Sequence, residues 1–94
     1  MISHDVLASY AADAALEIDG VGGLVEGARR HRGVRVTEDE GAIALEIHVA
    51  LDWGARAPEI GAAVQRRVSE YLLRTAKLRS LAVDVVVAGV AVGP

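Results

Sequence analysis

The chain has no cysteine. That removes a disulfide framework, a thiolate metal site and a cysteine nucleophile. It has no phenylalanine either, and its aromatic side chains are Tyr10, Trp53 and Tyr71 alone. Positive charge is scarce: ten Lys and Arg stand against thirteen Asp and Glu, for a formal net charge of −3. General polyanion binding needs a basic field, so that class is disfavoured. Long apolar runs are missing as well. The longest lies near the C-terminus, is broken by Asp84, and is too short to span a bilayer. The opening MISHDVLASY lacks the basic and apolar regions of a signal peptide, so a cytosolic location is expected.

What the chain does have is aliphatic content. Hydrophobic residues make up 52% of its 94 positions, much of that alanine. This is enough for one thin core, and residues 1–94 read as a single domain.

Ser3 reads as an N-cap with Asp5 in the first helical turn. Val6, Leu7, Tyr10, Ala11, Ala14 and Ile18 then form one apolar stripe, and Gly20 fits the helix stop. Residues 21–33 read as a loop, with one helical turn near Leu24. They hold Gly22, Gly23, Gly27 and Gly33 around a basic cluster, Arg29, Arg30, His31 and Arg32. Val34 to Thr37 reads as a short strand, followed by an acidic turn of Glu38, Asp39, Glu40 and Gly41. From Ala42 the period is two: Ile43, Leu45, Ile47, Val49 and Leu51 on one face, Ala44, Glu46, His48, Ala50 and Asp52 on the other. Pro58 and Glu59 suit a helix start, and Ile60, Val64, Val68, Tyr71 and Leu72 make its buried stripe. The last strand runs from Leu81 to Val92. Leu81, Val83, Val85 and Val87 face the core, while the other face turns apolar at Val86, Ala88, Val90 and Val92.

The expected architecture is therefore α+β in the order α-β-β-α-β: a three-stranded mixed sheet with two helices packed on one face.

Few residues suggest chemistry. Gly20-Val21-Gly22 starts like a dinucleotide fingerprint, but Val25 stands where the third glycine is needed. Gly20-Val21-Gly22-Gly23 also matches the bare GxxG clamp of KH-type RNA modules, with Arg29, Arg30 and Arg32 available for phosphates and no base-stacking aromatics nearby. Glu46, His48 and Asp52 share a strand face at spacings that could hold a metal, although such groups on an open sheet are usually solvated. No nucleophile triad or paired-carboxylate cleft can be drawn, so neither an enzyme nor a cofactor is expected. Trp53, at the strand end before Gly54, has two readings: a binding hot spot, or a cap on the core over the N-terminus of the second helix, which is preferred.

The ordered set of motifs resembles the alkaline shock protein family of Gram-positive envelope stress proteins. Ile2-Ser3 through Val6-Leu7, Ala14-Ala15 and Glu17-Ile18-Asp19-Gly20-Val21 is similar to its opening. Gly33-Val34-Arg35-Val36 is similar to its first strand. Trp53-Gly54, Pro58, Val64-Gln65 and Val68 resemble its central signature, and residues 83–90 its closing strand. Trp53 stands where the family usually has Tyr. The resemblance implies a non-enzymatic stress-response protein that self-associates into a homo-oligomer. It also implies a cytoplasmic place, peripheral at the cytoplasmic membrane through a small membrane-anchored partner or a family paralogue. The candidate interaction surface is Arg29, Arg30 and Arg32 together with Val86, Ala88, Val90 and Val92. The alternative is a KH-like RNA-binding module using the Gly20–Gly23 stretch and the arginine cluster.

Overall fold

The computed structural model describes residues 2–91. Helix α1, His4–Leu16, opens on Ser3, whose hydroxyl accepts the Val6 amide at 3.1 Å. It ends earlier than the apolar stripe predicts. Glu17 is its C-cap, and Gly20, at φ 101°, belongs to the turn into the next strand. The buried face is also different: Leu7, Ala8, Ala11, Ala12, Ala14 and Ala15 are buried, whereas Val6 is exposed. Alanines on a wide arc let the helix lie close to the sheet. A reading weighted towards bulky residues undercounts them.

Residues 21–33, read above as a loop, begin with a strand, β1, Val21–Leu24. Strand β2, Val34–Asp39, and strand β3, Ala42–Leu51, form a hairpin. Its turn is tighter than expected. Glu38 and Asp39 pair with Ile43 and Ala42, which leaves Glu40 and Gly41 alone in the turn, at φ 51° and 86°. Two successive positive φ values are the type I′ geometry that matches strand twist.

Strand β3 is the centre of the sheet. Strand β4, Leu81–Val90, pairs with it in parallel, after helix α2, Ala57–Thr75. On the opposite edge of β3, β2 pairs with residues 42–47 and β1 with residues 49–51, both antiparallel. The sheet thus has four strands but is three across. The expected three-stranded mixed sheet gains a strand without gaining width. Ten-residue β3 outruns six-residue β2, and its remaining edge groups need partners; β1 supplies them.

Both helices cover one face. Ile43, Leu45, Ile47, Val49 and Leu51 are all buried there with Val64, Val68 and Leu72 of α2, as the two periodicities require. Tyr10 and Tyr71 meet edge-on at 6.1 Å, and Arg67 Nη2 donates to Glu17 at 2.6 Å, tying α2 to α1.

Candidate functional site

The basic cluster sits at a break in the sheet edge. The His48 carbonyl accepts the Val25 amide at 2.8 Å, and the His48 amide donates to the Gly33 carbonyl at 2.9 Å. Strands β1 and β2 are therefore one edge strand opened opposite His48, and residues 26–32 are the excursion. The Gly33 amide donates to Glu26 Oε1 at 2.8 Å and closes its base; a bridge between His31 and Val34 closes it again. Compact loops with adjoining ends are a common place for function.

The three arginines do not form one free patch. Arg32 Nη1 lies 2.8 Å from Asp13 of α1, and His31 bonds the Ser9 hydroxyl at 3.2 Å. Arg30 folds back over Gly27: its Nη2 donates to the Glu26 carbonyl at 3.1 Å, and its Nε is enclosed without a partner. Arg29 is exposed, at φ 64°. Against α1 the loop leaves an open groove of about 350 Å³ lined by His4, Asp5, Ala8, Arg29, Arg30 and His31, with Val34 and Val36 as its floor. The mixed charge of this lining does not single out an anion.

The KH-type reading fails on geometry. Its clamp needs a loop, but Gly22 and Gly23 lie in β1. Gly23 pairs with Ala50, and Gly22 sits in a bulge where a Cβ would strike Ala91 and Asp52. The glycines serve close packing of backbone. Glu46 and His48 do meet, at 2.7 Å. Asp52 does not join them; it lies beyond the end of β3, against Gly22. Among the described residues, no three His, Asp or Glu side chains converge as a metal group.

The last strand departs from the alternation read in the sequence. Val49 pairs with Val87, but Ala50 pairs with Gly89, so Ala88 is the extra residue of a bulge. One inserted residue reverses the faces. Val86 pairs with His48 on the open face, whereas Val90 pairs with Leu51, whose side chain is in the core. Val86, Ala88 and Val90 are thus not one apolar face, contrary to the expectation. Val92 lies outside the described residues.

Large apolar side chains are exposed at several places among the described residues, Val6, Leu16 and Leu73 of the helices included. Val87 and Val90 are 43% and 55% exposed. Trp53, expected to cap the core, is 82% exposed in the turn after β3. Because β3 and β4 are parallel, Trp53 and Val90 emerge at the same end of the sheet. Beside them an open groove of about 360 Å³ runs between α2 and β4. It is lined by Ala57, Pro58, Gly61, Ala62, Gln65, Val83 and Val87, with Asp84 and Val85 completing its wall. The signal that could have located it was the run of small residues at the start of α2.

Comparison with known proteins agrees on family and fold. The profile of the alkaline shock protein family, described as having a cell envelope-related function, matches residues 1–92. No curated protein sequence matches the chain. Among solved structures, the copper form of the MamM CTD is similar with a TM-score of 0.65 at 20% identity, over 97% of this chain and 90% of that one. A zinc form of a MamM CTD variant gives 0.64 at 20% identity, over 96% and 89%. A manganese form gives 0.62 at 20% identity, over 90% and 99%. At this identity the likeness concerns the fold.

Proposed function

Because the chain belongs to the alkaline shock protein family, with its cell envelope-related function, we propose that it is a non-enzymatic envelope stress protein. In this reading residues 1–94 are one domain that self-associates and docks to a membrane-anchored partner from the cytoplasmic side. The observation that carries it is the apolar end of the sheet, where Trp53, Val87 and Val90 are all exposed. Exposed large aromatics ringed by smaller apolar groups suit a protein contact. Among the described residues no helix is long and apolar enough to cross a membrane.

The test is fractionation of the source cells with an epitope-tagged chain. Wild type is expected to sediment with membranes and to be stripped by high salt or detergent. Trp53→Ser combined with Val90→Lys is expected to move it to the soluble fraction. A wild-type chain found wholly in the soluble fraction, before and after alkaline stress, would remove the docking part of the proposal.

A further inference from the structure

We infer that the outer edge of β4 receives the β4 of a second copy of this chain, antiparallel, so that two sheets become one. This rests on the self-association proposed above and names its seat.

Among the described residues no strand pairs with that outer edge. The two edges of the sheet differ in kind. Strand β2 carries Arg35, Glu38 and Asp39, the charges that keep an edge from pairing. Strand β4 is LAVDVVVAGV: ten residues, no proline, and Asp84 as its one charge.

The groups on offer can be identified. In a parallel ladder the N–H and C=O of one residue point to the same side, and successive residues alternate. The Ser80 carbonyl accepts the Ile43 amide of β3, so Ala82, Asp84 and Val86 also turn towards β3. Leu81, Val83, Val85 and Val87 turn outward. Gln65 confirms this parity, because its Nε2 donates to the outward Val83 carbonyl at 2.9 Å. In the single chain a helix side chain thus occupies one of the edge acceptors.

The edge also has a pocket for side chains. The groove between α2 and β4 runs along it, and Val87 stands exposed in its wall. Gly61 forms part of its lining, and a Cβ there would touch nothing within 4 Å. A glycine inside a helix costs about 1 kcal/mol relative to alanine, and no packing within this chain requires it. Main-chain pairing with alternate side chains seated in pockets is how a sheet edge binds a strand.

Charge decides for a second copy over a foreign strand. Glu59 and Arg66 flank Ala62 on one ridge of α2, at three- and four-residue spacing, and both are exposed. The Gln65 contact sets α2 level with β4. A helical turn rises 5.4 Å and two strand residues rise about 6.6 Å, so the Gly61–Ala62 step stands over Val85. A two-fold axis there runs the two α2 helices antiparallel, close together over small residues, and brings Glu59 of each copy within reach of Arg66 of the other. The same axis sets Asp84 against Val86 of the second copy, so the two Asp84 carboxylates stay apart.

Sedimentation equilibrium on wild type, Val85→Pro and Val87→Lys tests this. Proline at an outward-facing edge position removes an N–H that the lone chain does not pair. Val87→Lys puts a charge on an exposed side chain and keeps every backbone group, so it decides the matter if Val85→Pro fails to fold by circular dichroism. The expected result is a wild-type dimer and folded variants whose dissociation constants are higher by about tenfold or more, or 1.4 kcal/mol. A wild-type dimer unchanged by Val87→Lys overturns the edge assignment and leaves self-association standing. A wild type that is monomeric at about 100 µM, where a dimer of micromolar affinity is well populated, overturns both.

Discussion

His48 Nε2 lies 2.7 Å from Glu46 Oε1, two residues along the same open face of β3. Arg35 Nη2 stands 3.5 Å from the other carboxylate oxygen. The His48 hydrogen bond is the main reason that the Glu46 carboxyl is held below the ordinary glutamate range. Partial desolvation works against it, and the charges of Arg35, His48 and Arg30 assist. A carboxyl lowered in the folded state stabilises the fold above its unfolded pKa, and that contribution is lost as pH falls through the folded value. The melting temperature of wild type should therefore fall more between about pH 5 and pH 3 than that of Glu46→Gln, across the range where a free glutamate titrates near 4.3. Parallel acid limbs in differential scanning calorimetry would show that the pair contributes nothing.

Gly20 makes a second prediction. Its φ is 101°, and a Cβ built on it falls 2.5 Å from Ile60 Cδ1 of α2. Its carbonyl also accepts the Asp52 amide at 2.7 Å, joining the end of α1 to the end of β3. Gly20→Ala combines backbone strain with overpacking, at about 2 kcal/mol or more together. Urea denaturation should show a lower midpoint with an unchanged slope. Wild-type stability in this variant would mean that the turn can be rebuilt.

Trp53 provides the opposite case. At 82% exposure it contributes little to the core. Trp53→Ser should change stability by no more than about 0.5 kcal/mol, whereas removing a core-capping tryptophan would cost about 3–5 kcal/mol. As the chain's only tryptophan, it also reports on itself: acrylamide should quench native and urea-unfolded fluorescence to a similar extent.

Glu40 occupies the first central position of the β2–β3 turn at φ 51°, a conformation unfavourable for glutamate. Glu40→Asn creates the Asn-Gly pair that type I′ turns favour. It should raise stability by about 0.5–1 kcal/mol, a few degrees in melting temperature, with no change in association.

The elements that could be read from the sequence are those whose pattern is local and strong. Period two in residues 42–51, the spacing of Val64, Val68 and Leu72, and Ser3 as a cap all correspond to what the chain does. Strand β1 could not be read, because Val21–Leu24 is half glycine and becomes a strand only where β3 leaves groups to be paired. The bulge at Ala88 was equally hidden. It depends on the register against β3, and it reverses the side on which Val90 lies. The exposure of Trp53 has a local origin instead: the turn at Asp52 to Gly54 carries the side chain outward. The ordered motifs identified the family, while the surfaces on which a partner would act depend on pairings between distant segments.

The opening of the edge strand at His48 has a practical consequence. Both backbone groups of His48 are paired with the two ends of the excursion, Val25 and Gly33, so the ladder is complete whatever lies between them. Residues 26–32 can therefore change in length without shifting the register of β2 by one position. Closing a longer loop costs only about 0.6 kcal/mol per doubling of its length. A peptide tag or a small folded module spliced between Ala28 and Arg29 should be carried as cargo, on the opposite edge of the sheet from β4. That makes the loop a place to label the protein while leaving the outer edge of β4 untouched.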